Sequence, residues 1–221
     1  VKSLGALRGG LGKTLMERNV DSKPEVVTLL DTQYRMNEEI MRFSSSWFYD
    51  GKVKADPITA HRGILDYDTP IEWVDDVAND DETVGETFVG ETFGRINKVE
   101  ARQVMELLQA YFEKIGKQRI IDEYLRHLIK KEAFFKPFRH LLSVNTVDGF
   151  QGQERDVIIV SLVRGNNDGQ IGFLRDLRRM NVAMTRARSK LIIIGDHETL
   201  AHHEFYKKLY EYIKKHKTDN F

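Results

Sequence analysis

The 221-residue sequence contains no cysteine, which excludes disulfides and thiolate metal sites outright. It has no uncharged apolar run of about 18 residues or more, so no membrane-spanning helix is expected. Its opening, VKSLGALRGG, has no long apolar stretch behind the lysine and does not read as a secretory signal. No serine sits in a Gly-x-Ser-x-Gly turn, which leaves nucleophilic serine hydrolysis without support. The seven histidines are scattered; His202-His203 has no third ligand nearby, and solvent-facing or capping roles fit it better than a metal. No internal repeat is present. What remains is an intracellular chain, cytoplasmic or, in a eukaryote, nuclear, with 41% hydrophobic residues to fill a core.

Net charge is also lacking, since 34 Lys and Arg balance 34 Asp and Glu. On its own that argues weakly against a nucleic-acid binder. The balance hides an asymmetry. Residues 66–92 carry ten acids and no Lys or Arg, whereas residues 175–190 carry six bases against the single acid Asp176.

Hydrophobic patterning predicts an α/β chain. Residues 26–30, 142–147, 157–162 and 191–195 are short apolar runs, three of them apolar on both faces as buried parallel strands are. Residues 63–68 and 71–74 are further extended candidates around Pro70. Helical spacing marks 37–48, 97–115, 124–131, 173–184 and 203–217, with Gly116 ending the second of these. Residues 79–94 are rich in Asp, Glu, Thr and Gly and predict an exposed loop or weak hairpin.

Two familiar signals fail on inspection. Gly9–Thr14 reads GGLGKT, but a phosphate-binding P-loop needs a glycine five residues before its Gly-Lys glycine, and that position is Leu7. Ile120-Ile121-Asp122-Glu123 resembles a strand-end metal carboxylate pair, yet only two apolar residues precede the acids; acids at a helix start account for it. The chain thus offers no phosphate cradle and no Mg²⁺ carboxylate.

Three segments carry chemistry instead. TVDGFQGQERDVIIVS (146–161) sets a Gly- and Gln-rich polar loop in front of an apolar strand. NVAMTRARSK (181–190) sets two arginines at a helix end before another strand. QYRM (33–36) adds an arginine beside a tyrosine. Guanidinium groups grip phosphate oxygens bidentately, and glycines let backbone approach a ligand. Phe150 reads as a core plug.

Together these segments resemble the second RecA-like domain of superfamily-1 helicases, nearest to the nonsense-mediated-decay branch, over most of residues 26–200. The resemblance implies a three-layer RecA-like α/β fold with a mainly parallel sheet flanked by helices. It implies a lead-in segment at 1–23, the motor domain at 24–200 and a C-terminal helix at 201–221. It also implies that Arg35 and Arg186 reach the γ-phosphate of ATP as catalytic arginines. Gln33, Tyr34, Gly152 and Glu154 would line the nucleotide, Tyr34 against adenine and Glu154 on the ribose, while Thr146 would touch the nucleic-acid backbone. Mg²⁺ would be held mainly by the N-terminal RecA-like domain, and the track would be single-stranded DNA or RNA, travelled 5′ to 3′. Arg35, Glu154 and Arg186 are expected on one surface, at the ends of the parallel strands. Two other readings are a non-catalytic RecA-like adaptor and the helicase module of a nuclease-linked processing protein.

The sequence departs from that family after the 97–115 helix. A core strand and a Ser/Thr-Pro-Tyr-x-x-Gln turn belong there, but Gly116-Lys117-Gln118-Arg119 runs through Ile120–Glu123 into Tyr124. Missing residues near Glu123/Tyr124 are the expectation. The 66–92 acidic stretch has no sharp counterpart in the family.

Overall fold

Thr14 opens the first regular helix, α1 (Leu15–Ser22), through a reciprocal cap. Its hydroxyl accepts from Glu17 N at 3.1 Å, and the Glu17 carboxylate accepts from Thr14 N at 2.6 Å. Lys13, the lysine of GGLGKT, is paired with Asp21 at 2.5 Å. In the computed structural model the described residues are 3–6, 8–9, 12–64, 68–76, 85–89, 94–115, 132–138, 142–150 and 152–218. The chain divides into two units, Val1–Asp31 and Thr32–Phe221.

The strand expected at 26–30 does not form. Pro24–Val26 is a 3₁₀ turn, and the residues after it are exposed and outside any ladder. β-branched residues favour strands by packing against neighbouring strands, and the described residues of the first unit contain no other strand.

In the second unit, β1 (Thr32–Gln33) pairs in parallel with β2 (Lys54–Ala55). Between them lies α2 (Glu38–Phe48), capped by Asn37, whose side chain accepts from Glu39 N. The central sheet has the order β3-β7-β6, all parallel, formed by β3 (Ile71–Val74), β6 (Arg155–Ser161) and β7 (Ala187–Ile194). The acidic stretch contributes a hairpin, β4 (Thr87–Val89) against β5 (Gly94–Ile96). Helix α3 (Lys98–Ile115) starts at Asn97, whose Oδ1 accepts from Val99 N and Glu100 N.

The sheet separates two cores. On one face Ile71, Trp73, Ile158, Leu191 and Ile193 meet α2, α4 (Leu177–Met184) and α5 (Glu204–Thr218) through Ile40, Phe43, Met184, Phe205 and Leu209. On the other, Val157, Ile159, Ile192 and Ile194 meet Val104 and Leu108 of α3. Each such side chain contributes about 1.5–3 kcal/mol by leaving water. Helices on both faces of a parallel sheet make the three-layer α/β architecture of RecA-like folds.

Three expectations need adjusting. Residues 142–146 form no ladder and Val147 begins a turn, although Val144 is buried in the second core. The 173–184 helix is broken into a 3₁₀ turn, Gly172–Arg175, and α4, because Asp176 leaves the helical region at ψ 84° and its carboxylate takes Arg178 instead. β7 begins earlier than the apolar run, taking in Arg188, Ser189 and Lys190. The 124–131 helix, Ile120–Glu123 and the Glu123/Tyr124 junction lie outside the described residues.

Candidate functional site

Arg155 N donates to Arg186 O at 3.0 Å where the chain enters β6 and β7. This contact sets the loop before β6 beside the loop before β7. Arg35, Glu154 and Arg186 therefore meet on one surface at the strand ends. The ends are the amino ones, whereas open parallel sheets usually gather ligands at the carboxyl ends.

Gln33 builds the turn that presents Arg35. Its Oε1 accepts from Arg35 N at 2.8 Å and Met36 N at 2.7 Å, and its Nε2 donates to Met36 O at 2.9 Å. From that turn Arg35 Nε reaches Glu154 Oε2 at 2.6 Å, and Nη1 donates to Thr185 O at 3.1 Å. Arg62 braces the turn from behind, donating to Arg35 O at 2.8 Å. Arg188 approaches the same carboxylate, with Nε 3.8 Å from Glu154 Oε1, and its Nη1 lies 3.4 Å from Asp156. The hydrogen bond from Arg35 holds the Glu154 carboxyl below the usual glutamate range, and the charges of Arg35, Arg188 and Arg62 add to it.

Arg186 is held differently. Its Nε donates to Val182 O at 3.0 Å and its Nη1 to Gln153 O at 3.2 Å, so the hydrogen bonds that orient it go to backbone carbonyls. Burial lowers its pKa, and the neighbouring Arg35 lowers it further; it remains a cation. Two guanidinium groups thus lie near each other, a donor type able to grip phosphate oxygens.

The other expected residues sit as follows. Tyr34 is 66% exposed, its ring open to solvent. Gly152 has φ +83°, a conformation that favours glycine, and a Cβ there would meet nothing within 4 Å, so the backbone edge is open. Gly149 has a local explanation, because Asn145 occupies the place of its side chain and donates to its carbonyl at 3.0 Å. Thr146 is exposed and lines a cavity together with Arg186. Phe150 is buried as a core plug. Sequence reasoning missed Arg62, which stands in no motif and joins the site only through space. Among the described residues no group of three His, Asp or Glu side chains could hold a metal ion.

The acidic stretch has a structural use. Asp68 and Glu72 take the buried Lys190 at 2.7 and 3.2 Å. Asp75 pairs with His197 at 2.8 Å, and Asp76 accepts from Asn97 at 2.6 Å. Glu86 holds the buried Arg164 at 2.8 Å and also pairs with Arg95. The Glu86 contacts pin the hairpin near the carboxyl ends of the strands, where Glu86 N donates to Gly165 O at 3.1 Å.

With this geometry in view, the comparisons with known proteins are consistent among themselves. The AAA domain family matches residues 11–198, and the chain belongs to that family. An uncharacterized ATP-dependent helicase of Methanocaldococcus jannaschii is 36% identical over 213 residues, covering 92% of this chain and 32% of that protein. The DNA polymerase alpha-associated DNA helicase A of Saccharomyces cerevisiae is 35% identical over 214 residues, covering 86% of this chain and 31% of that protein. A regulator of nonsense transcripts 1 homolog of Neurospora crassa is 31% identical over 226 residues, covering 95% and 20%. The chain thus falls among superfamily-1 helicase sequences and spans a third or less of the length of these relatives. No helix among the described residues is long and apolar enough to cross a membrane.

Proposed function

We propose that this chain is the C-terminal RecA-like motor domain, residues 24–200 with the helix at 201–221, of an ATP-dependent helicase that moves on single-stranded nucleic acid. Residues 1–23 would lead in from the N-terminal RecA-like domain, which would hold Mg²⁺ and most of the ATP. The reading is carried by the convergence of Arg35, Glu154 and Arg186, which come from three separated segments, at one edge of the sheet.

The donor set suits a nucleotide's phosphates. Two cations converge, and the Gly152 backbone stands open beside them. Bound ATP would supply the transferable phosphoryl group. Arg186, oriented by two carbonyls, would place positive charge where the transition state accumulates negative charge. Arg35 would exchange its Glu154 partner for phosphate oxygens, freeing that carboxylate to accept from ribose hydroxyls. Tyr34 would offer its exposed face to the base, and Thr146 would meet the nucleic-acid backbone. Closure on ATP and opening after hydrolysis would move the two domains in alternation.

The test is steady-state ATPase of the parent protein with and without single-stranded DNA and RNA. Stimulation by either polynucleotide, lost on Arg35→Ala or Arg186→Ala, supports the reading. A parent protein that binds nucleic acid without turning over ATP favours the adaptor instead.

A further inference from the structure

Arg35 sits in a bend between β1 and α2, so neither a ladder nor a helical turn holds its backbone. A side chain is aimed only as well as the peptide groups that carry it are fixed, and here other side chains do the fixing. Gln33 Oε1 takes the Arg35 N–H at 2.8 Å. The Arg35 carbonyl is taken by Arg62 Nη1, also at 2.8 Å, from 27 residues further along the chain. Both backbone polar groups of Arg35 are thus held by side chains, one inside the turn and one outside it.

Arg62 is held in return. Its N–H donates to Thr59 O at 3.2 Å, and its carbonyl accepts from Asn37 Nδ2 at 2.7 Å. Asn37 is 5% exposed and anchored twice more. Its Oδ1 caps α2 at Glu39 N, and its own N–H donates to Arg188 O at 2.8 Å in β7. Residues 35–37 and Arg62 therefore form a reciprocal clasp, in which a side chain from each lies on a carbonyl of the other. The clasp ties the turn to α2 and to the strand that carries Arg188.

The charge of Arg62 is not used in a salt bridge, because it makes no ion pair among the described residues. A cation placed on a neutral carbonyl adds little stability that an uncharged donor would not. What the contact does is fix a direction, and the residue whose direction it fixes is Arg35.

We propose that Arg62 is a positioning residue for Arg35. The clasp holds the Arg35 peptide so that its guanidinium points across the sheet edge, at Glu154 in this structure and at the phosphate of a bound nucleotide. Naming phosphate as the target rests on the nucleotide reading; the clasp itself does not. Arg62 acts through Arg35 alone.

Two measurements test it. In the 221-residue chain carrying isotope-labelled arginine, solvent exchange of the Arg35 Nε proton reads its bond to Glu154, and exchange of the Arg186 Nε proton, held by Val182 O, reads general loosening. Arg62→Met should speed exchange at Arg35 by about tenfold and leave Arg186 within about twofold. Arg62→Lys, which keeps the charge and a donor, should restore most of the protection. No acceleration at Arg35 overturns the proposal, and so does equal acceleration at both, since Arg62 would then only stabilise the fold. Should Arg62→Met fail to fold, Arg62→Gln is read by the same two protons. In the parent protein Arg62→Met should lower kcat for ATP by about tenfold to a hundredfold, as misplacing a reacting group does. KM should stay within a few-fold, and the substitution should add nothing in an Arg35→Ala background. A further loss in that background overturns the proposal. An Arg35→Ala parent that hydrolyses ATP at the wild-type rate removes phosphate as the target, and the nucleotide reading with it, while exchange at Arg35 still decides the clasp.

Discussion

Arg35 and Glu154, 119 residues apart, are joined by a hydrogen bond of 2.6 Å from Nε to Oε2 at the amino ends of the sheet. On the proposed reading a nucleotide would arrive at this pair, which would then act as an internal substitute for ligand contacts. Arg35→Ala is expected to raise the Glu154 pKa toward the ordinary glutamate value, because its principal depressing contact is gone. A carboxyl held low in the folded state adds stability that is complete above the unfolded value, about 4.3, and lost as pH falls through the folded value. Both side chains are substantially exposed, at 36% and 44%, so that stability is no more than about 1 kcal/mol. Carboxyl-carbon NMR titration of wild type and Arg35→Ala reads the shift, and an unchanged Glu154 midpoint refutes the pairing.

Lys190 presents the opposite case. Its side chain is 1% exposed and donates to Asp68, Thr69 O and Glu72 at 2.7, 2.6 and 3.2 Å. Tyr111 completes the cluster, donating to Asp68 at 2.9 Å, and burial followed by the Asp68 charge pushes its phenol pKa up. Lys190→Met fits the volume but leaves two partly buried carboxylates facing each other. Breaking a buried pair costs about 3–5 kcal/mol; the partial exposure of Asp68 and Glu72, 19% and 25%, points to the lower end. Denaturant unfolding should show that loss, and Asp68→Asn in the Lys190→Met background should recover part of it. A neutral Lys190→Met would mean that the cluster is not coupled to folding.

These two contacts also show what a sequence makes legible. β6 and the apolar half of β7 were readable because strands buried on both faces are apolar throughout. Lys190 hid the start of β7, since a buried lysine looks like a surface residue until Asp68 and Glu72 are placed around it. Residues 26–30 misled for a related reason: strand propensity describes a fit to a neighbour, and the neighbour is not a local property. α2, α3 and α5 were legible from their periodicity. At the site, Arg35, Glu154 and Arg186 were singled out by motif. The bracing Arg62 and the amino-end location depended on long-range register, which spacing alone does not encode.

The 221-residue chain alone is expected to bind ATP very weakly and not to hydrolyse it. Gly12-Lys13-Thr14 lacks the spacing of a phosphate loop, and its polar groups serve α1: Lys13 pairs with Asp21, and Thr14 caps the helix. Isothermal titration and a phosphate-release assay on purified protein measure this. Turnover that persists through repurification and disappears with Lys13→Ala would restore Gly12-Lys13-Thr14 as a phosphate site.

Arg186 and Arg188 lie two residues apart, and their partners separate their roles. Arg188 faces two carboxylates, Glu154 and Asp156, so much of its charge is already compensated. Arg186 is oriented by the carbonyls of Val182 and Gln153, which fix direction without cancelling charge. A group that acts on the transferring phosphoryl needs that uncompensated charge, and arginine fingers in related enzymes are worth about 10³–10⁵ in rate. In the parent protein Arg186→Ala should therefore lower kcat by about 10³ or more while ATP affinity stays within a few-fold, the pattern of a contact made in the transition state. Arg188→Ala should be milder and should act through Glu154, whose pKa should rise as one of its depressing charges is removed. Single-turnover hydrolysis with nucleotide-binding measurements on both variants separates the roles. Equal loss of kcat from the two substitutions, or a loss from Arg186→Ala that appears only in binding, would remove the finger assignment from Arg186.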